Sequence, residues 1–121
     1  RDAYAWIDEA RGWIGREVPA TSLASVMPEL DSWVVVRRFA HNDFETVVFP
    51  RFPEIATAWS YLAALVTQSD PSSFARMSGS GSAVFAVLTG PQHPAIAAPP
   101  AGVRTAVTRM TNRVESVHPL D

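Results

Sequence analysis

The sequence predicts an α+β fold, a sandwich with helices packed on one face of an antiparallel sheet. Three observations carry this. Apolar residues recur at helical spacing through the first half, strand-like segments occupy the second half, and two of those segments flank a serine–glycine loop at residues 77–82. Helices first and a hairpin afterwards is the element order from which such layers are built. At 121 residues the chain fits one domain, large enough to bury roughly two-thirds of its unfolded surface.

Ala3, Trp6, Ile7, Ala10, Trp13 and Ile14 recur at three- and four-residue intervals, with Asp8, Glu9 and Arg11 on the other side, which predicts an amphipathic helix. Gly15 is its expected stop. Residues 18–22 then read as a loop leading to a short helix at residues 23–27, ended by Pro28. Residues 32–40 hold the branched run Val34, Val35 and Val36, but they do not alternate and they run into Arg37 and Arg38, so helix is preferred to strand. Asn42 followed three residues later by Glu45 has the form of a capping box, worth about 1 kcal/mol, and predicts a helix stopping near Pro50.

Pro53 suits the first position of the next helix, where its missing N–H is harmless. Ile55, Ala58, Trp59, Leu62, Leu65 and Val66 give that helix one continuous apolar face. Residues 69–72 break the chain before a short strand at residues 74–77. Residues 82–88 are apolar on both alternating faces and predict a strand buried in the core. The proline- and alanine-rich residues 90–102 predict an irregular surface loop, and the alternation of residues 103–110 predicts a last, less buried strand.

Composition removes several function classes. There is no cysteine, which excludes thiol nucleophiles, disulfide frameworks and cysteine-type zinc sites. There is no lysine either, so neither a Walker-type phosphate loop nor a Schiff-base centre can be completed from this chain. The formal net charge is −2 and no basic stripe exists, so nucleic acid is not an expected partner. No apolar run approaches the roughly 20 residues of a membrane span, and the N-terminus lacks the regions of a signal peptide. A cytoplasmic protein is therefore the expectation. Residues 1–4 read as a helix already under way, without an initiator methionine, so a piece of a longer chain is expected.

The loop of residues 77–82 is the main chemical candidate. Gly79 and Gly81 can take positive φ, letting successive backbone N–H groups face one point as an anion nest, while Ser78, Ser80 and Ser82 add hydroxyl donors. In P-loops and dinucleotide motifs such a loop opens a helix, whereas here a strand follows, which disfavours both. A hairpin turn whose glycines only meet turn geometry fits the same residues. His41, His93 and His118 have no metal-ligand spacing and no role is assigned to them. Serine, histidine and aspartate are all present, but without a nucleophile-elbow context. The four tryptophans read as core residues and Asp8 and Glu9 as a solvated helix face.

Residues 42–45 (Asn-Asp-Phe-Glu), 52–55 (Phe-Pro-Glu-Ile) and 77–86 (Met-Ser-Gly-Ser-Gly-Ser-Ala-Val-Phe-Ala) resemble, in order and spacing, the C-terminal domain of 4-diphosphocytidyl-2-C-methyl-D-erythritol kinases of the GHMP kinase superfamily. The similarity runs roughly from residue 4 to residue 110. The serine–glycine loop looks like the superfamily's third motif, shared by galactokinase, homoserine kinase and mevalonate kinase branches. The first two stretches are what point to the diphosphocytidyl branch. The resemblance implies a ferredoxin-like two-layer sandwich and an ATP- and Mg²⁺-dependent phosphoryl transfer in non-mevalonate isoprenoid synthesis. It implies a phosphate-side role for Ser78, Gly79, Ser80, Gly81 and Ser82.

It also matches Tyr4 to an aromatic residue that lies against the cytosine ring, with an ordinary helix position as the alternative. The family's catalytic lysine and aspartate and its ATP loop belong to an N-terminal domain, so no catalytic residue is expected in this chain and that domain becomes its expected partner. Family members also place a helix after the buried strand, where this chain has the proline-rich residues 90–102. A non-catalytic ferredoxin-like binding module and another GHMP branch, of homoserine or mevalonate kinase type, are the competing readings.

Overall fold

A computed structural model describes residues 2–12, 30–91 and 94–110 of the chain. The elements among them are α1 (Asp2–Ala10), α2 (Trp33–Phe39), α3 (Glu45–Val48), α4 (Pro53–Thr67), β1 (Phe74–Met77) and β2 (Val84–Val87). The two strands form one antiparallel sheet, with Phe74 opposite Val87 and Met77 opposite Val84. The fold is thus a small α+β arrangement, as the element order predicts.

Local chemistry explains most boundaries. α1 ends at Ala10, where the Arg11 N–H still reaches the Ile7 carbonyl but the Gly12 N–H turns to Glu9. The expected stop at Gly15, the loop at residues 18–22 and the short helix at residues 23–27 lie outside the described residues, as do Trp13, Ile14, His93 and His118. Ser32 caps α2 from an extended conformation (φ −140°, ψ 151°), and Arg37 and Arg38 sit in its last turn, where cations complement the helix dipole. α4 begins at Pro53 as predicted, and Ala58 and Leu65 are buried on its apolar face.

Two layers of contact build the core. Ala3 and Ile7 of α1, Val47 and Val48 of α3, and Met77 of β1 form one buried cluster, against which Trp6, Phe44, Phe49, Ile55 and Val84 pack. α4 lies along both strands. Because alternate residues of a strand face opposite sides, the Met77 and Val84 side of the sheet meets this cluster, and Phe74 and Phe85 occupy the other side. There Trp33 of α2 approaches Phe74, with ring centroids 6.3 Å apart.

The hairpin is held at its base as well. Asp70 Oδ1 accepts from the Ser72 N–H (2.9 Å) and the Ser72 hydroxyl (2.6 Å), and Ser72 in turn meets the Thr89 hydroxyl at 2.6 Å. The Thr89 N–H donates to the buried Ser73 hydroxyl at 2.9 Å. These bonds join the end of α4 to both strands. The described part of the predicted 90–102 loop, residues 90–91 and 94–102, holds no helix or strand, and the Tyr61 hydroxyl pins it to α4 by donating to the Ala97 carbonyl at 2.7 Å.

Four expectations are corrected. β2 is not a fully buried core strand: it spans only Val84–Val87, none of its residues is buried, and Phe85 is 42% exposed. The physical reason is that no third strand among the described residues covers its outer edge. Residues 103–110 do not form a strand, and Val107 and Met110 stand 76% and 67% exposed. Alternation makes a strand only beside a pairing edge and a surface to cover, and that segment has neither.

Trp33 is not a core residue, being 39% exposed on the outer side of the sheet. Asn42 and Glu45 do not form a capping box. α3 begins at Glu45 with Phe44 at its N-cap and no side-chain cap bond, and the Glu45 carboxylate reaches instead to the N–H of Met77 at 2.8 Å. Met77 is only 2% exposed, and a buried N–H must find an acceptor.

Candidate functional site

The serine–glycine loop is the turn of the β1–β2 hairpin. The Ser78 N–H donates to Ala83 at 2.8 Å, closing the hairpin, and the Gly81 N–H returns to the Ser78 carbonyl at 3.0 Å. Gly79 and Gly81 both hold positive φ, 53° and 93°. They differ in surroundings. A Cβ on Gly79 would meet nothing within 4 Å, whereas one on Gly81 would lie 3.2 Å from Met77 Sδ and close to Ile55 and Val48.

Gly81 therefore lets the loop backbone lie down on the core, while Gly79 stands clear of it. Among the described residues, the N–H groups of Gly79, Ser80 and Ser82 and the hydroxyls of Ser78, Ser80 and Ser82 have no protein partner. The arrangement can present several donors to one anion. The loop itself supplies dipoles rather than charge, since its donors are backbone N–H and hydroxyl groups; the Arg76 guanidinium donates to the carbonyls of Ala40 and Ala75.

A second feature adjoins the loop. Tyr4, Ile7, Asp8 and Arg11 of the α1 segment face residues 41–44 across an open cleft of about 430 Å³. Tyr4 is 61% exposed and meets Phe44 edge-on, with centroids 4.9 Å apart and planes at 74°. Tyr4 thus touches Phe44 and stays largely exposed, which leaves aromatic surface that can receive a flat group. Asp43 anchors the cleft's polar end, taking Arg11 on Oδ2 and the His41 Nε2 on Oδ1 at 2.6 Å. All three side chains are well exposed, so the pairs fix shape more than they add stability.

Asn42 joins cleft and loop. It lines the cleft, and its Nδ2 donates to the carbonyls of Met77 (2.7 Å) and Gly79 (2.8 Å), while its Oδ1 accepts from the Phe44 N–H at 3.0 Å. The structure therefore brings all the expected site residues, Tyr4 and residues 78–82, to the two sides of one asparagine. Apart from their place in the stretch that carries the resemblance, Asn42 and Glu45 read in the sequence as helix caps, because their spacing satisfies a local pattern. Asking which group takes the outward N–H and C=O of Met77 was the signal that could have found them.

The described residues contain no group of three or more histidine and carboxylate side chains placed to hold a metal ion, and no helix long and apolar enough to cross a membrane. Comparison of the chain with family models, curated proteins and solved structures finds no match.

Proposed function

We propose that this chain is the C-terminal, substrate-side part of an ATP-dependent GHMP-type kinase acting on 4-diphosphocytidyl-2-C-methyl-D-erythritol in isoprenoid synthesis. The observation that carries the reading is the bonding of Asn42 to Met77 and Gly79. The Asn-Asp-Phe-Glu stretch and the serine–glycine loop carry the resemblance from separate places in the sequence, and this bonding makes them one structural unit. An aromatic cleft on one side of Asn42 and a donor-rich loop on the other suit a ligand that is a base at one end and a diphosphate at the other.

In this reading Tyr4 stacks on the cytosine, and the N–H and hydroxyl groups of residues 78–82 receive phosphate oxygens. ATP and Mg²⁺ are held mainly by the N-terminal domain, which also supplies the lysine and aspartate of the chemistry. When bound, they provide the transferable phosphoryl group and charge neutralisation. This chain contributes positioning, which matters because in-line transfer depends on the alignment of the reacting oxygen.

A ferredoxin-like sandwich belongs to the same reading. In such a sheet one strand of a hairpin lies at the edge and the other inside, which suits a β1 whose outward Met77 groups are taken by Asn42 and Glu45 and a β2 whose outward groups meet no partner among the described residues.

Titration calorimetry with cytidine diphosphate tests the reading. Tyr4→Ala should weaken binding by about 1–3 kcal/mol, roughly 5- to 150-fold. Equal affinity for the variant, or equal affinity of the native chain for simple pyrophosphate, would remove the cytidine assignment. An upstream coding sequence lacking a Pro-x-x-x-Gly-Leu-Gly-Gly-Gly-Ser-Ser loop would remove the kinase itself.

A further inference from the structure

We infer that Asn42 is the positioning residue of the serine–glycine loop: it aims the Ser80 N–H at an anionic oxygen bound over the loop. The inference rests on the phosphate reading of that loop and adds to it a residue outside the loop.

The argument starts from the peptide unit. In a planar trans peptide the C=O of one residue and the N–H of the next point in opposite directions. Asn42 Nδ2 draws the Met77 carbonyl toward itself, so the Ser78 N–H points the other way, where it meets the Ala83 carbonyl at 2.8 Å. The same Nδ2 draws the Gly79 carbonyl toward itself at 2.8 Å, so the Ser80 N–H also points away from Asn42. No protein acceptor meets it there among the described residues.

One amide group thus sets two peptide planes, one to close the hairpin and one to offer a donor. Asn42 is itself fixed, because its Oδ1 accepts from the Phe44 N–H at 3.0 Å and Glu45 binds the neighbouring Met77 N–H at 2.8 Å. Positive φ at Gly79 permits this orientation but does not select it, since glycine populates both signs of φ about equally. The selection comes from Asn42. Asparagine suits the task because a single side chain carries two amide hydrogens for the two carbonyls and an acceptor for the Phe44 N–H.

The probe is pyrophosphate, followed by the backbone and side-chain amide resonances of the full chain in ¹H–¹⁵N spectra. In the native protein, saturable shifts should be largest at Ser80 and its loop neighbours, and the Asn42 side-chain amide should move with them. Asn42→Asp keeps the acceptor for Phe44 but turns the donor into a carboxylate oxygen facing two carbonyls. It should reduce pyrophosphate affinity at least tenfold and abolish the Ser80 response, while resonances at the hairpin base, Ser73 and Thr89, stay in place.

Native affinity retained in a folded Asn42→Asp variant overturns the inference and leaves the phosphate reading standing. If that variant does not fold, the native spectra still decide: pyrophosphate shifts in the loop that spare Ser80 and the Asn42 side chain overturn it equally. A native chain that does not respond to pyrophosphate removes the phosphate reading and the inference together.

Discussion

The two glycines of the loop look alike in the sequence and are unlike in the structure. Both hold positive φ, where a Cβ is disfavoured by roughly 1–2 kcal/mol. Gly79→Ala should cost about that much in urea denaturation, because open space surrounds the new methyl group. Gly81→Ala should cost more, since its methyl group would also press on Met77 Sδ at 3.2 Å inside the cluster that unites α1, α3 and β1. Equal losses would show that the loop does not rest on the core. The residue scale is also where sequence reading fell short. Asn42 and Glu45 fit a capping box because the local pattern is identical, and only the buried edge of β1, some 35 residues away, decides that they are used across the fold instead.

At the scale of elements, α1, α4 and β1 were legible because each carries its own signal: apolar periodicity, a proline at the first turn, or a short run bounded by breakers; α2 was read as a helix only because its branched run does not alternate, and α3 was placed by a capping pattern that the structure does not use. β2 was legible in position and not in burial, and residues 103–110 were misread. Both errors share one cause, since strand burial depends on neighbours that local pattern does not specify. The join between α4 and the hairpin makes a testable element-scale claim. The Ser72 hydroxyl first and then the Ser72 N–H hold the Asp70 carboxyl below its ordinary value of 3.8; desolvation opposes them to a smaller extent, and the Thr89 hydroxyl adds the weakest lowering.

A carboxylate depressed in the folded state stabilises fully above the unfolded pKa, and that contribution disappears as pH falls through the folded value. Denaturation midpoints of the native chain should therefore fall as the pH drops below the ordinary carboxylate range. Asp70→Asn should lower the midpoint at neutral pH and flatten that acid decline. An unchanged acid limb in the variant would mean the Asp70 bonds add nothing to the hairpin.

For the molecule as a whole, the described helices were readable where their order is local, and the candidate site was readable only in parts. Its loop was marked by glycine and serine, and Tyr4 by resemblance, whereas their meeting at Asn42 belongs to tertiary structure. The same asparagine has a consequence for self-association. Met77 opposes Val84 just beyond the bonded Ser78–Ala83 pair, so the Met77 backbone groups point out of the sheet, where Asn42 and Glu45 occupy them. On β2 the corresponding outward groups of Val84 and Ala86 meet nothing among the described residues.

The sheet is therefore polar in the sense of growth, occupied at Met77 on one flank and receptive on the other. A strand edge that can add a neighbour on one side only supports a closed two-fold pair and not an open filament. Sedimentation of the concentrated chain should show association that stops at a dimer. Removal of the seal by Glu45→Ala together with Asn42→Ala should allow larger, fibre-like species, and continued growth of the native chain beyond a pair would contradict it.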